Sequence, residues 1–404
     1  MRRFRVLALL ISAAVALLLV ALATPRPAAA AATSNCATVA APKTSLHPLA
    51  WLRRLAARAT IGGPKAEVGV YYFDGWSSSC DSHFTGLLQP SYVGRQPLSG
   101  WLDNTPQTMR QQLAWARRDG VGFFVFDWYY DAALPTGSNP GLNSALHIYR
   151  TLKHHDGVGF ALLYVNTPES FVIQPSGWKQ EAERWVRNDF TNPAYQRVDG
   201  KPVLDILDIS RFVKQAGGTA QANAELAALQ SAARAAGLPG VYVVGGIWVG
   251  PSYPNAQEFP SLSWVAALRV NALTQYNYPY AGGVHPGPLP YSQLVTDGEW
   301  IWRQFAATSP LPYIPVVMDG WDPRPWNEQV ENTLVWFHRT PAEFEGFAHA
   351  ALVWEEAHPK MRVQSKPLFL VEAWNELGEG GYMVPTVGTG NAYGRSLAQA
   401  VGLW

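Results

Sequence analysis

Two rhythms of apolar and polar positions alternate along this chain. Short runs rich in β-branched and aromatic residues are separated by stretches whose apolar residues recur three or four positions apart, the signature of strands alternating with amphipathic helices. Eight strand-like runs stand out: "VGVYYFDGW" (68–76), "VGFFVFDWYY" (121–130), "VGFALLYVN" (158–166), "PVLDILD" (202–208), "VYVVGGIWV" (241–249), "ALRVNALTQYNY" (267–278), "YIPVVMDGW" (313–321) and "PLFLVEAWNE" (367–376). Between the first two, "TPQTMRQQLAWARRDG" predicts a helix with Thr105 as N-cap and Pro106 in its first turn, stopping at Gly120. "ANAELAALQSAARAAG" and "TPAEFEGFAHAALVWEEAH" read the same way, whereas the link between the fifth and sixth runs is short and irregular.

Eight strands with intervening helices predict an α/β protein, a single (β/α)8 TIM barrel over residues 66–404. A doubly wound open sheet is the competing topology. It usually carries a G-x-G-x-x-G phosphate turn after its first strand, and the first run here leads through "YYFDGWSSSC" instead.

The chain before the barrel has a different character. Residues 1–31 read as a signal peptide: basic "MRRFR", apolar "VLALLISAAVALLLVALA", then the small-residue exit "PRPAAAAA". The expected location is therefore secreted or extracytoplasmic. The apolar run is just long enough to span a bilayer, so membrane contact is expected only if this segment stays uncleaved. Residues 32–65 form a linker-like extension. The two cysteines, Cys36 and Cys80, could pair in an oxidising compartment or remain thiols.

Composition narrows the partners. Net charge is +1, with no basic stripe or acidic tail, which argues against nucleic acid. The 17 Trp and 17 Tyr exceed what a core alone would call for and suit a groove that stacks sugar rings, so a glycan is the expected substrate. No G-x-S-x-G, H-E-x-x-H or G-x-x-x-x-G-K-[ST] occurs, and neither cofactor nor metal is expected, although an oxygen-ligand cation site would leave no local motif.

Barrel enzymes carry their chemistry at the C-terminal ends of the strands. There the sequence places Asp74 and Trp76; Asp127, Trp128 and Tyr129; Asn166; Asp208; Trp248; Tyr276 and Asn277; Asp319, Trp321 and Asp322; and Asn375 with Glu376, followed by Glu379 and Tyr382. Taken singly, most such acids are helix caps or turn residues, as expected of Asp208 and Asp322. Together they predict one rim of acids and stacking aromatics. In "VEAWNELGEGGYMVPT", alternation sets Glu372, Trp374 and Glu376 on one face, with Glu372 deeper as a structural carboxylate. The glycines after Leu377 let the chain turn and bring Glu379 back over the same pocket. Two carboxylates across a small, aromatic-walled volume are the equipment for cleaving a glycosidic bond, one as proton donor and the other as base or nucleophile. That role requires surroundings that raise the pKa of Glu379.

"AWNELGEGGYMVPT", with "MDGWDPRPW" and "DGKPVLDILD", resembles glycoside hydrolase family 99 and the family 99-like group, which includes endo-α-1,2-mannosidases and domains found with bacterial polysaccharide clusters. The resemblance runs from Val68 to Tyr393. The family pattern Asn-Glu-Trp-His-Glu-Gly is matched by Asn375-Glu376-Leu377-Gly378-Glu379-Gly380, with Leu377 and Gly378 replacing Trp and His. The resemblance implies that Glu376 is the base that deprotonates a sugar 2-hydroxyl, giving a 1,2-anhydro intermediate with net retention, and that Glu379 is the general acid/base. Asp74, Trp76, Asp127, Trp128, Tyr129, Asn166, Trp248, Tyr276, Asn277, Trp321, Asn375 and Tyr382 are the candidate substrate contacts. The expected function is an exported, endo-acting hydrolase of an α-linked glycan. A barrel that binds glycan without cleaving it, and a polysaccharide-assembly transferase, are the alternatives.

Overall fold

A computed structural model describes residues 63–77, 83–84, 87–249, 259–326 and 335–403. The signal-peptide region, the 32–65 extension up to residue 62, Cys36 and Cys80 lie outside the described residues.

Eight parallel strands form the barrel: β1 Glu67–Tyr72, β2 Phe123–Trp128, β3 Gly159–Tyr164, β4 Lys201–Ile206, β5 Tyr242–Gly246, β6 Ala272–Thr274, β7 Val316–Met318 and β8 Leu368–Glu372. Their hydrogen-bonded order is β6-β5-β4-β3-β2-β1-β8-β7. A parallel bridge between Leu273 and Tyr313 joins the two ends, with the Leu273 N–H donating to the Pro312 carbonyl oxygen at 2.9 Å. The helices are α1 Pro106–Arg118, α2 Ser144–Thr151, α3 Pro175–Trp185, α4 Ile209–Ala216, α5 Thr219–Ala235, α6 Tyr291–Thr308, α7 Pro341–Ala357 and α8 Ala392–Ala400. In place of a helix between β5 and β6, a single 3-10 turn, Ser263–Ala267, lies among the described residues.

Local chemistry accounts for the helix starts. Thr105 accepts the Thr108 N–H at 3.1 Å ahead of Pro106, and Thr340 accepts the Glu343 N–H at 3.3 Å while its hydroxyl donates to the Glu343 carboxylate at 2.6 Å. Asp208 caps α4 by accepting the Arg211 N–H at 2.9 Å.

Alternation along the strands divides the barrel. Phe123, Val125, Val203, Leu368 and Leu370 point inward and line one cavity, while Phe124 and Phe126 pack outward on Tyr72. Continuing the inward set by two positions brings Asp127, Asp205 and Glu372 into the barrel's mouth. At the rim, a parallel pair, Leu289–Pro290 with Phe337–His338, ties the loops after β6 and β7 together.

Candidate active site

The loop after β8 is folded against itself. The Met383 N–H reaches the Ala373 carbonyl oxygen at 3.0 Å, the Gly380 N–H reaches Glu376 O at 2.9 Å, and Glu376 bridges to Gly381. Gly380 has φ +83°, and a Cβ there would lie 2.5 Å from the Asp322 nitrogen, so only glycine fits. The Asp322 N–H in turn donates to the Glu379 carbonyl oxygen. Two buried arginines fix the turn from below. Arg95 donates to Leu377 O at 2.8 Å and Asp322 O at 3.0 Å, and Arg339 donates to Asp319 O and Tyr382 O, both at 3.0 Å.

Asn375 aligns this loop with β1. Its amide oxygen accepts the Phe73 N–H at 2.9 Å and its amide nitrogen donates to the Phe73 oxygen at 2.8 Å, as another backbone would. The Trp76 indole N–H donates to Asn375 O at 2.8 Å.

Glu376 is nearly buried, and Glu379 is partly open to solvent. The Tyr276 hydroxyl, just past β6, lies 2.8 Å from Glu376 Oε1 and 2.9 Å from Asp127 Oδ2. Burial, then the charges of Glu379 and Asp127, push the Glu376 carboxyl up, against the lowering effect of the Tyr276 bond. Burial pushes Asp127 up first, with Glu379, Asp205 and Asp74 adding to it. Glu379 is pushed up to about 7 by burial, and no protein donor reaches its carboxyl among the described residues. Glu372 lies deeper, both oxygens without a partner among the described residues, and is raised by burial and by Asp319, Glu379 and Glu376. The charges of Asp127, Glu376 and Glu379 act on the buried Tyr129 hydroxyl, and that of Glu379 on Tyr280.

The predicted rim therefore divides. Asp127, Tyr129 and Tyr276 gather round Glu376 and Glu379. Trp321 is buried edge-on to Tyr280 at 6.0 Å, Asn277 is half-buried beside Tyr276, and Trp248 is exposed at the end of β5. Five expected substrate contacts are instead committed to the protein, and a sixth is partly so. Asp74 accepts from the Ser144 hydroxyl and the Leu146 N–H, both at 3.0 Å, at the start of α2. Asn166 binds Asp208 and Gln215, Trp76 and Asn375 hold each other, and Trp128 faces out of the barrel onto Trp185 at 5.0 Å. Tyr382 spreads its ring over Arg339 at 3.9 Å. Trp374 also departs from expectation. The strand ends at Glu372, so alternation no longer applies, and Trp374 points to α1, its N–H 2.9 Å from Gln112 Oε1.

Sequence reasoning missed Arg95, Arg339 and Tyr280, which come from three separate loops with no motif of their own. Pro and Gly beside Arg95 mark a turn and say nothing of the buried cation.

The geometry suits opposed carboxyl chemistry in an aromatic-walled mouth, and known proteins share the frame. A solved "Glycoside hydrolase-like protein" has TM-score 0.57 and 17% identity, over 85% of this chain and 95% of its own. The GH99 endo-alpha-mannosidase from Bacteroides thetaiotaomicron, solved in complex with BIS-TRIS-propane, has TM-score 0.56 and 14% identity, over 83% of this chain and 96% of its own. These likenesses establish the (β/α)8 barrel fold. No curated protein sequence matches the chain. The sequence profile described as "Glycosyltransferase WbsX" matches residues 173–397, more than half of the chain and through both glutamates, and the protein belongs to that GH99-related family.

Proposed function

We propose that this protein is an exported glycoside hydrolase that cleaves an α-linked polysaccharide or oligosaccharide internally and with retention, through Glu376 and Glu379. One observation carries the reading: on one tight turn Glu376 takes a hydrogen bond from the Tyr276 hydroxyl at 2.8 Å, while Glu379, pushed up to about 7 by burial, has no protein donor among the described residues, so the two carboxyls are held differently. At neutral pH, Glu379 thus has a proton to give to the departing glycosidic oxygen. Glu376 takes the proton of the sugar 2-hydroxyl as that oxygen closes on the anomeric carbon and the glycosidic bond breaks, the route the family resemblance implies. Water then opens the ring, giving one proton to Glu379, while Glu376 returns its own to O2, and both groups regain their starting state. Export rests on the basic, apolar and small-residue order of the N-terminus.

The family's description favours a second reading, transfer from an activated sugar. The site's electrostatics weigh against it. Arg95 and Arg339 are engaged with Asp322, Asp319 and loop carbonyls, and carboxyls line the mouth, a poor seat for a diphosphate. The test is a product screen of the chain lacking residues 1–31, and of its Glu379→Gln variant, against α-mannans, arabinans, galactans and α-glucans by mass spectrometry, alongside nucleotide-sugar binding. Oligosaccharides released by the parent alone support hydrolysis. Binding without product favours a glycan-binding barrel, and nucleotide-sugar binding favours transfer.

A further inference from the structure

Tyr276 has one hydroxyl proton and two carboxyl neighbours, Glu376 at 2.8 Å and Asp127 at 2.9 Å. An ionised carboxylate only accepts, so two bonds at these distances need two protons along the row: the phenol's own and one on a carboxyl. We propose that Asp127 is the positioning residue of the site, holding the shared proton and donating it to Tyr276, so that Tyr276 donates to Glu376 and keeps it the ionised base. This goes beyond the hydrolase reading and rests on it only for the meaning of "base".

Burial supports the assignment. Asp127 is buried and its Oδ1 has no partner among the described residues, a state that suits a neutral acid whose other oxygen carries the proton. The groups facing this row are acids and phenols: Glu379 and Glu372 from the β8 side, Asp205 from β4, Asp74 after β1 and Tyr129 after β2. No cation acts among these described groups, so nothing but a proton offsets a second charge in the row. The phenol is itself pushed far up by burial and by Asp127 and Glu376, and it stays protonated throughout.

Asparagine cannot ionise, and with its N–H toward Tyr276 it reproduces the proton-bearing part while the phenol still donates to Glu376. Phenylalanine at 276 removes the donor to Glu376. The two variants must therefore part: Asp127→Asn, which keeps a neutral donor, leaves the Glu376 titration close to the parent's, whereas Tyr276→Phe moves it upward. The measurement is a pH titration of the protein labelled with [δ-13C]glutamate and read by NMR, with the Glu376 resonance identified through Glu376→Gln. A rise of about one pH unit in Tyr276→Phe, a tenfold change in proton affinity, is expected, with no displacement of that size in Asp127→Asn. A fall of about a unit or more in Asp127→Asn, which would mean that Asp127 was ionised and the proton sat on Glu376, or no rise in Tyr276→Phe, overturns the proposal. Because the readout needs no substrate, it stands or falls separately from glycan cleavage. If cleavage is found, the acid limb of its pH profile must move upward in Tyr276→Phe and stay in place in Asp127→Asn.

Discussion

Replacing Asn375 separates a structural role from a substrate-binding one. Its amide makes two buried bonds to the Phe73 backbone and lies directly before Glu376. Asn375→Ala leaves the Phe73 N–H and C=O buried without partners, each costing about 1–3 kcal/mol, so the loss of stability should be roughly 2–6 kcal/mol. Asn375→Asp restores an acceptor for the N–H but sets a carboxylate against the Phe73 oxygen, and should lie between parent and Ala at low pH, close to Ala at high pH. Equilibrium urea denaturation, followed by tryptophan fluorescence, reads both. A loss below about 0.5 kcal/mol in Asn375→Ala, with glycan affinity reduced, would refute the backbone-mimic account and return Asn375 to the substrate.

The site sets three further outcomes. With Glu379 acting as the acid, cleavage should be lost as pH rises through about 7, and a rate that climbs steadily to pH 9 would contradict that role. Gly378→Ala puts a Cβ about 2.4–2.5 Å from the Trp326 ring, so the turn between the glutamates must shift; overpacking of this kind costs about 1–3 kcal/mol and should cut activity at least tenfold, measured with any substrate the screen identifies. Asp205 is pushed up to about 7 by burial, and the Tyr71 hydroxyl sits 3.0 Å from its Oδ2 and 2.9 Å from the acceptor-only oxygen of Gln275, so the acid must supply a proton. Its folded pKa lies above the unfolded value of about 3.9, so its contribution is full below pH 4 and lost as pH rises through 7; Asp205→Asn should flatten the fall in stability between about pH 4 and 7.

Much of this was legible in the sequence. Period-two runs ending in polar residues gave eight strands and their mouth, and threonine or aspartate before proline or an apolar turn gave the helix starts at Thr105, Thr340 and Asp208. Facing was less legible. Trp128 continues β2 as an outward residue, and period two alone could have shown it opposite Asp127. Trp374 could not be read, because nothing local marks where β8 leaves the sheet. Asn375 and Asn166 look like rim ligands in sequence because an amide that completes a neighbouring backbone has the same composition as one that binds sugar. Arg95 and Arg339 were hidden for another reason: their partners are carbonyls of a distant loop, which no side-chain pattern encodes.

The central claim is that water, not another sugar, accepts the glycosyl group. Digestion of a susceptible glycan in H2 18O, with mass spectrometry of the new reducing ends, tests it directly. One 18O per cleaved bond is predicted, absent in Glu379→Gln. Products without 18O, or turnover only with a nucleotide sugar, would contradict it.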